Sequence, residues 1–146
     1  MKEFVRTISD YPIKGIQFRD ITTLLQDPKL FKKVIDEMTE PWVNEKVDAV
    51  LSIESRGFIM AGAIAYKLNS AFIPLRKPDK LPGKLLKKNY NLEYGENSLS
   101  IQKKSLQKFN SYAIVDDLLA TGGTVNCVSS LLEDNSKEVK GLLVVV

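Results

Sequence analysis

The chain has 146 residues, 44% of them hydrophobic, and a formal net charge of +3. That is enough for a sizeable core in a single domain spanning 1–146. The charge is too small to indicate a nucleic-acid or membrane surface, and no apolar run approaches the ~20 residues of a membrane span. The absence of histidine excludes Ser-His and Cys-His mechanisms and His-ligated metals, so catalysis must rest on carboxylates, Lys, Arg, Tyr or an ion held by oxygen.

Residues 1–26 mix polarities around two turn signals, Tyr11-Pro12 and Lys14-Gly15, and the start MKEFVRTISDYP lacks the apolar centre of a signal peptide. A helix is predicted after Asp27, with Asp27 as N-cap and Pro28 at the first helical position. Leu30, Val34, Met38 and Trp42 then fall on one apolar face. Asp48–Ile53 reads as a buried strand, 54–57 as a loop, and Phe58–Leu68 as a helix of small residues that can pack close to a sheet. Ala71–Leu75 is a second strand. From Arg76 to Lys88 the chain is basic and loop-like, with Pro78, Pro82 and Gly83. Apolar and aromatic residues alternate on either side of Gly95-Glu96-Asn97, which predicts a hairpin turning there. Strand 112–116, helix 125–134 and a last apolar strand, Gly141–Val146, complete the pattern. The one cysteine, Cys127, lies on the apolar side of that helix, where it packs and fits a reducing cytoplasm. Strand–helix–strand occurs twice with near-continuous apolar strands, so the expected fold is α/β, a parallel sheet flanked by helices. A hairpin excursion over 84–105 separates the two halves, and the segment before Asp27 stands outside them.

The densest chemistry lies in Tyr112–Thr124, YAIVDDLLATGGT. A buried strand delivers two adjacent carboxylates, Asp116 and Asp117. A small-residue loop, Ala120-Thr121-Gly122-Gly123-Thr124, then opens a helix. Amides of such a loop and first helical turn lack partners, and Gly122 and Gly123 remove the side chains that would hold a phosphate away. The carboxylates stand at the carboxyl end of the strand, where open α/β sheets bind ligands. A phosphate on the amides and hydroxyls on the carboxylates describe a sugar phosphate. A lone Gly-Gly turn is a weak signal, and the acidic pair alone equally reads as a solvated strand end.

Three further groups are informative. Glu54-Ser55-Arg56-Gly57 sits at another strand's carboxyl end, with amides, a hydroxyl and a guanidinium suited to a second phosphate; alone it equally reads as an ordinary βα turn. Arg76, Lys77 and Lys80 follow a strand and can neutralise a polyphosphate, whereas Lys84, Lys87 and Lys88 read as a solvated loop. Tyr90-Asn91-Leu92-Glu93-Tyr94-Gly95 is aromatic-rich with one carboxylate, Glu93, which by itself reads as a solvated edge-strand residue.

Taken together these motifs resemble those of the adenine phosphoribosyltransferases, a branch of the type I phosphoribosyltransferases. VDDLLATGGT is similar to that family's loop for phosphoribosyl pyrophosphate (PRPP). IESRGFIMAGAIA is similar to its pyrophosphate loop and helix, IPLRKPDKLPGKLLKKNYNLEYG to its Lys-rich segment and mobile hairpin, and GIQFRDITTLLQDP to its N-terminal base-recognition stretch. The resemblance spans nearly the whole chain. It implies a glycosyltransferase of purine salvage that makes AMP and pyrophosphate from adenine and PRPP with Mg²⁺, as a cytoplasmic homodimer. It further implies that Ala120–Thr124 hold the 5-phosphate and that Asp116 and Asp117 hold the ribose hydroxyls. Arg56 with Glu54, Ser55, Gly57, Lys77 and Lys80 would bind pyrophosphate. Phe18 would stack on the purine, beside the Gln17 backbone and the Arg19 side chain. Glu93 would exchange a proton with the base and Tyr94 close over it. Mg²⁺ would be held by substrate oxygens and water rather than by protein ligands.

In the family the chain generally continues past the strand matching Gly141–Val146, and an apolar side chain there helps sandwich the base. This chain stops at Val146, so one face of the base is expected to be open. Two alternatives share the PRPP loop. A 6-oxopurine phosphoribosyltransferase would read its base from elements after the last strand. A non-catalytic PRPP-binding regulator, or a short paralogue, would use the loop as a sensor; a DNA-binding module is not visible in the few residues before the first helix.

Overall fold

The structure is a computed structural model and describes residues 4–92 and 95–146. An antiparallel pair, β1 (Arg6–Ser9) and β2 (Gln17–Asp20), leads through a short helix α1 (Thr22–Gln26) into α2 (Pro28–Thr39). Then follow β3 (Ala49–Ile53), α3 (Gly57–Leu68) and β4 (Ala71–Leu75). A hairpin of β5 (Leu85–Leu92) and β6 (Gly95–Gln102) and a short helix α4 (Lys103–Lys108) precede β7 (Ser111–Asp116), α5 (Gly123–Asp134) and β8 (Glu138–Val144).

The central sheet is parallel, in the order β4-β3-β7-β8. Its inner strands read as near-continuous apolar runs because both faces are covered. Val50, Ala113 and Val115 pack with Val34, Met38, Met60 and Ile64 of α2 and α3. Leu51, Ile53 and Ile114 pack on the other face with Val128, Leu131 and Leu132 of α5 and Leu99 and Ile101 of β6. One crossover runs β3–α3–β4 and the other β7–α5–β8, so they leave the centre of the sheet in opposite directions. The loops after β3 and β7 therefore open side by side on a crevice.

Local chemistry explains the helix starts. Asp27 accepts hydrogen bonds from the amides of Lys29 (2.8 Å) and Leu30 (3.1 Å), and Pro28 follows it. The predicted apolar face is right, but Trp42 belongs to a separate 3-10 turn, Glu40–Trp42, because α2 stops before Pro41. The N-terminal segment is more regular than its turn signals suggested. Arg6 bridges to Asp20 and closes β1 on β2, while the Asp20 carboxylate accepts from Thr22 N (2.9 Å) and Thr22 Oγ1 (2.7 Å) at the start of α1.

Three expectations are corrected. The hairpin does not turn at Gly95-Glu96-Asn97: those residues are already in β6, with Leu92 paired to Gly95, and β5 begins at Leu85 inside the stretch read as loop. Lys88, expected in solvent, instead donates to Ser130 Oγ (2.6 Å) and pairs with Asp134, fastening the hairpin to α5. The last strand begins at Glu138 rather than Gly141. A two-way bond between the Arg76 and Ser100 backbones (3.1 and 2.7 Å) ties β6 to the end of β4. Cys127 is buried on α5, and burial pushes its thiol up, as befits a packing residue.

Candidate active site

The crevice is built by two strand-end loops. After β3, Glu54 to Arg56 turn into α3, with a cis peptide between Glu54 and Ser55. Gly57 begins the helix, and a Cβ there would lie 2.5 Å from Ser52 Oγ and 2.7 Å from Asp116 Oδ1. Only glycine lets the start of α3 approach the end of β7 so closely. The Glu54 carboxylate accepts from the Lys77 amide (2.7 Å) and from Arg76 Nε (3.1 Å). Burial pushes it up, but these bonds and the Arg76 charge more than offset that and hold it below its ordinary value.

After β7 the chain passes Asp116 and Asp117 and wraps a small cleft of about 80 Å³ before α5. Ala120, Thr121, Gly122, Gly123 and Thr124 all line it, with Asp116 at its edge. Gly122 has φ +80°, a turn natural to glycine, and stands immediately before the first residue of α5. The neighbouring cavity, of about 400 Å³, shares Asp116 and Thr124 with this cleft. Its polar wall carries Glu54, Ser55, Arg56, Lys77 and Asp117, and its apolar wall Ile53, Tyr90 and Leu99.

The two carboxylates differ in environment. Burial pushes the Asp116 carboxyl up to about 7; the adjacent Asp117 charge adds to this, while the Asp117 amide, 2.9 Å from Oδ1, and Arg56 oppose it. Asp117 is 8% exposed and pairs with Arg56, Nη2 to Oδ2 at 2.8 Å. That contact satisfies charge but not hydrogen-bond direction, and Oδ2 has no hydrogen bond among the described residues.

Arg56 also joins the crevice to the N-terminal strands. Its guanidinium lies 5.1 Å from the centre of the Phe18 ring, and Nη1 donates to the Arg19 carbonyl at 3.5 Å. Tyr11 meets Phe18 edge-on at 5.2 Å. Gln17 Oε1 accepts from Ser9 and Arg19 donates to Thr7, so both side chains are engaged across the β1–β2 pair.

The structure thus brings Ser55, Arg56, Lys77, Asp116, Asp117 and Thr124 to one cavity, the Ala120–Gly123 loop to the adjoining cleft, and Phe18 to the far side of Arg56. Lys80 does not line the cavity; its carbonyl accepts from Arg76 Nη1 at 3.2 Å, which closes the basic turn. Glu93 and Tyr94 lie outside the described residues. Arg76, read from the sequence as a group for a polyphosphate, instead pairs with Glu54, and sequence reasoning missed the wall residues Ile53, Tyr90 and Leu99. Tyr90 had a signal, its place in the aromatic hairpin; Leu99 had none beyond strand alternation. Among the described residues, no three His, Cys, Asp or Glu side chains gather where they could hold a metal.

A parallel four-stranded sheet reversing at β3/β7, an antiparallel hairpin beside it, and an acidic pair leading into a glycine loop define the type I phosphoribosyltransferase fold. The phosphoribosyl transferase domain model matches residues 21–146. An adenine phosphoribosyltransferase of Prochlorococcus marinus is 59% identical over 99% of this chain and 84% of its own length. The crystal structure of adenine phosphoribosyltransferase from Thermoanaerobacter pseudethanolicus superposes with a TM-score of 0.90 at 40% identity, covering 98% of this chain and 83% of that one. The Saccharomyces cerevisiae enzyme, solved with an imino-altritol bisphosphate and adenine, superposes with a TM-score of 0.83 at 31% identity, over 97% of this chain and 86% of that one. The chain belongs to the phosphoribosyltransferase family.

Proposed function

We propose that this chain is an adenine phosphoribosyltransferase, moving 5-phosphoribose from PRPP to N9 of adenine and releasing AMP and pyrophosphate. The observation that carries this reading is the meeting of Arg56, the Asp116-Asp117 pair and Phe18 around one crevice. The relatives that bear this name support the choice of base.

The 5-phosphate sits in the cleft of Ala120, Thr121, Gly122, Gly123 and Thr124, on amides that a helix start leaves unpartnered. Asp116 and Asp117 accept hydrogen bonds from the ribose 2- and 3-hydroxyls. As the C1–pyrophosphate bond breaks, positive charge grows on the ribose ring beside them and is stabilised by their charge. Arg56, the amides of Ser55 and Gly57, and Lys77 receive the pyrophosphate, with Lys80 at the outer edge of the basic turn. The Arg56 guanidinium neutralises Asp117 and can move from it to the pyrophosphate. The purine stacks on Phe18, its edge read by the Gln17 backbone and the Arg19 side chain. Glu93 takes the N9 proton as N9 bonds to C1, and Tyr94 covers the site.

Mg²⁺ favours hard oxygen ligands and keeps several waters. The Asp116 and Asp117 carboxylates in the cavity wall are suited to such an ion, which PRPP oxygens and water would hold there. When bound, the ion offsets charge on the leaving pyrophosphate. The family resemblance further supports a cytoplasmic homodimer, which the mass in solution checks.

The test is pyrophosphate release from PRPP and Mg²⁺ with a small panel of nucleobases. Release with adenine and not with hypoxanthine or guanine is the expected result. Release with a 6-oxopurine instead would move the chain to that branch, and PRPP binding without pyrophosphate release for any base would make it a non-catalytic PRPP-binding regulator.

A further inference from the structure

Ser52 is fully buried in β3, and its Oγ has no hydrogen-bond partner among the described residues. Val50, two residues earlier in the strand, faces the α3 layer, and strand alternation turns Ser52 to the same side, under the start of that helix. Ser52 Oγ and Asp116 Oδ1 lie around one point, 2.5 and 2.7 Å from where a Cβ on Gly57 would sit. The two oxygens are thus no more than 5.2 Å apart, the sum of those distances, and glycine alone keeps a side chain from between them. A buried hydroxyl without a partner is a cost to folding that alanine at the same place would avoid. Such exceptions in folded proteins call for a reason, and here the nearby acceptor is a carboxylate of the site.

We propose that Ser52 is a positioning residue: with substrate bound, its hydroxyl donates to the Asp116 carboxylate and holds it toward the ribose hydroxyls. This rests on the reading that Asp116 receives the ribose. The titratable and charged groups lining the same cavity are Asp117 beside Asp116, Glu54 and Arg56 of the preceding loop, Lys77 after β4 and Tyr90 of β5. Ser52 is the neutral donor behind them. A donor to a carboxylate favours its ionised form, so removing that donor raises the pH at which Asp116 ionises.

The experiment compares wild type, Ser52→Ala and Ser52→Cys by steady-state kinetics from pH 5 to 9 and by thermal unfolding. Cysteine fills the site with a somewhat larger atom but donates only weakly. The expected result for Ser52→Ala is a fall in kcat of roughly tenfold near neutral pH, the scale of one bond to a charged group. KM for PRPP stays within about twofold, since the phosphate contacts are untouched. The acid limb of the pH profile moves upward, and the unfolding midpoint holds or rises. Ser52→Cys shows the same kinetic loss. Unchanged kcat and pH profile in Ser52→Ala would overturn the inference. So would full recovery in Ser52→Cys, which would make the effect one of packing, or a lowered midpoint in Ser52→Ala, which would make the hydroxyl structural. A wild-type chain that forms no AMP overturns the assignment of Asp116 itself, and the role of Ser52 with it. Normal wild-type turnover beside a silent Ser52→Ala overturns the role of Ser52 alone.

Discussion

At the residue scale, the adjacent carboxylates Asp116 and Asp117 do different work because one is crowded by burial and the other is paired with Arg56. We expect Asp116→Asn and Asp117→Asn to lower kcat more than they weaken PRPP binding, since on the proposed reading the phosphate rests on the loop amides and not on these side chains. Calorimetry set beside turnover checks this; lost PRPP binding with kcat intact would contradict it. The raised ionisation of Asp116 also sets a pH dependence. Its carboxyl moves from 3.8 to about 7 on folding, so between those values the folded chain keeps a proton that the unfolded chain releases. Stability contributed by this group therefore falls as pH rises from about 4 to 7, whereas activity that needs the carboxylate rises through about 7. Urea midpoints at pH 5 and pH 8 should drop further in wild type than in Asp116→Asn. Gly57→Ala pushes a methyl group against Ser52 Oγ and Asp116 Oδ1. It should cost about 1–3 kcal/mol of stability, the usual penalty for overpacking, and should depress turnover by moving Asp116. A Gly57→Ala protein with wild-type unfolding and kcat would show that the crowding relaxes freely.

At the scale of elements, Asp20 closes the N-terminal strand pair on itself through Arg6 and on the start of α1 through Thr22. The Thr22 hydroxyl and amide, and then Arg6, hold its carboxyl down from 3.8 to about 2. A depressed carboxyl stabilises the fold fully above its unfolded value near 4, and that contribution is lost as pH falls toward 2. Asp20→Asn should therefore lower the unfolding midpoint at pH 7, with a gap to wild type that narrows in acid. A gap independent of pH would mean that the hydrogen bonds, rather than the charge, matter. Helix α5 depends on apolar contact instead: Leu132 is fully buried against the sheet. Leu132→Ala should cost about 2–5 kcal/mol in denaturant unfolding. A loss below 1 kcal/mol would indicate that α5, and with it the glycine loop at its start, is docked by something else.

For the molecule as a whole, the crevice joins parts distant in sequence, and a ligand that bridges them binds only the folded chain. PRPP with Mg²⁺ at about 100 times its Kd should therefore stabilise the protein by about 2.7 kcal/mol. A thermal shift that grows with the logarithm of PRPP concentration checks this, and no shift at millimolar PRPP would count against the site. Adenine should add to the shift once PRPP is present, because Phe18, the proposed base platform, is joined to the crevice by Arg56.

Much of this was legible in the chain because the signals were local. Apolar runs under two helical layers marked β3 and β7; Asp27-Pro28 marked the start of α2; and the order of the acidic pair and glycine loop marked a cleft that those residues line. Alternation alone did not set the hairpin's register, because a shift of two residues leaves every side chain on the same face. Pairing of Leu92 with Gly95 and the grip of Lys88 on α5 decided it. The strands at 6–9 and 17–20 had too little apolar content to announce themselves, and they exist because Arg6, Asp20 and Thr22 close them. Which charges meet is also beyond sequence order. Arg56 reaches Asp117 and Phe18, and Ser52 comes to lie behind Asp116, only because two crossovers leave the sheet in opposite directions and bring residues far apart in the chain within a few ångströms. The kinds of groups at the site follow from local residue chemistry. Their partners, their burial and hence their ionisation are set by long-range packing.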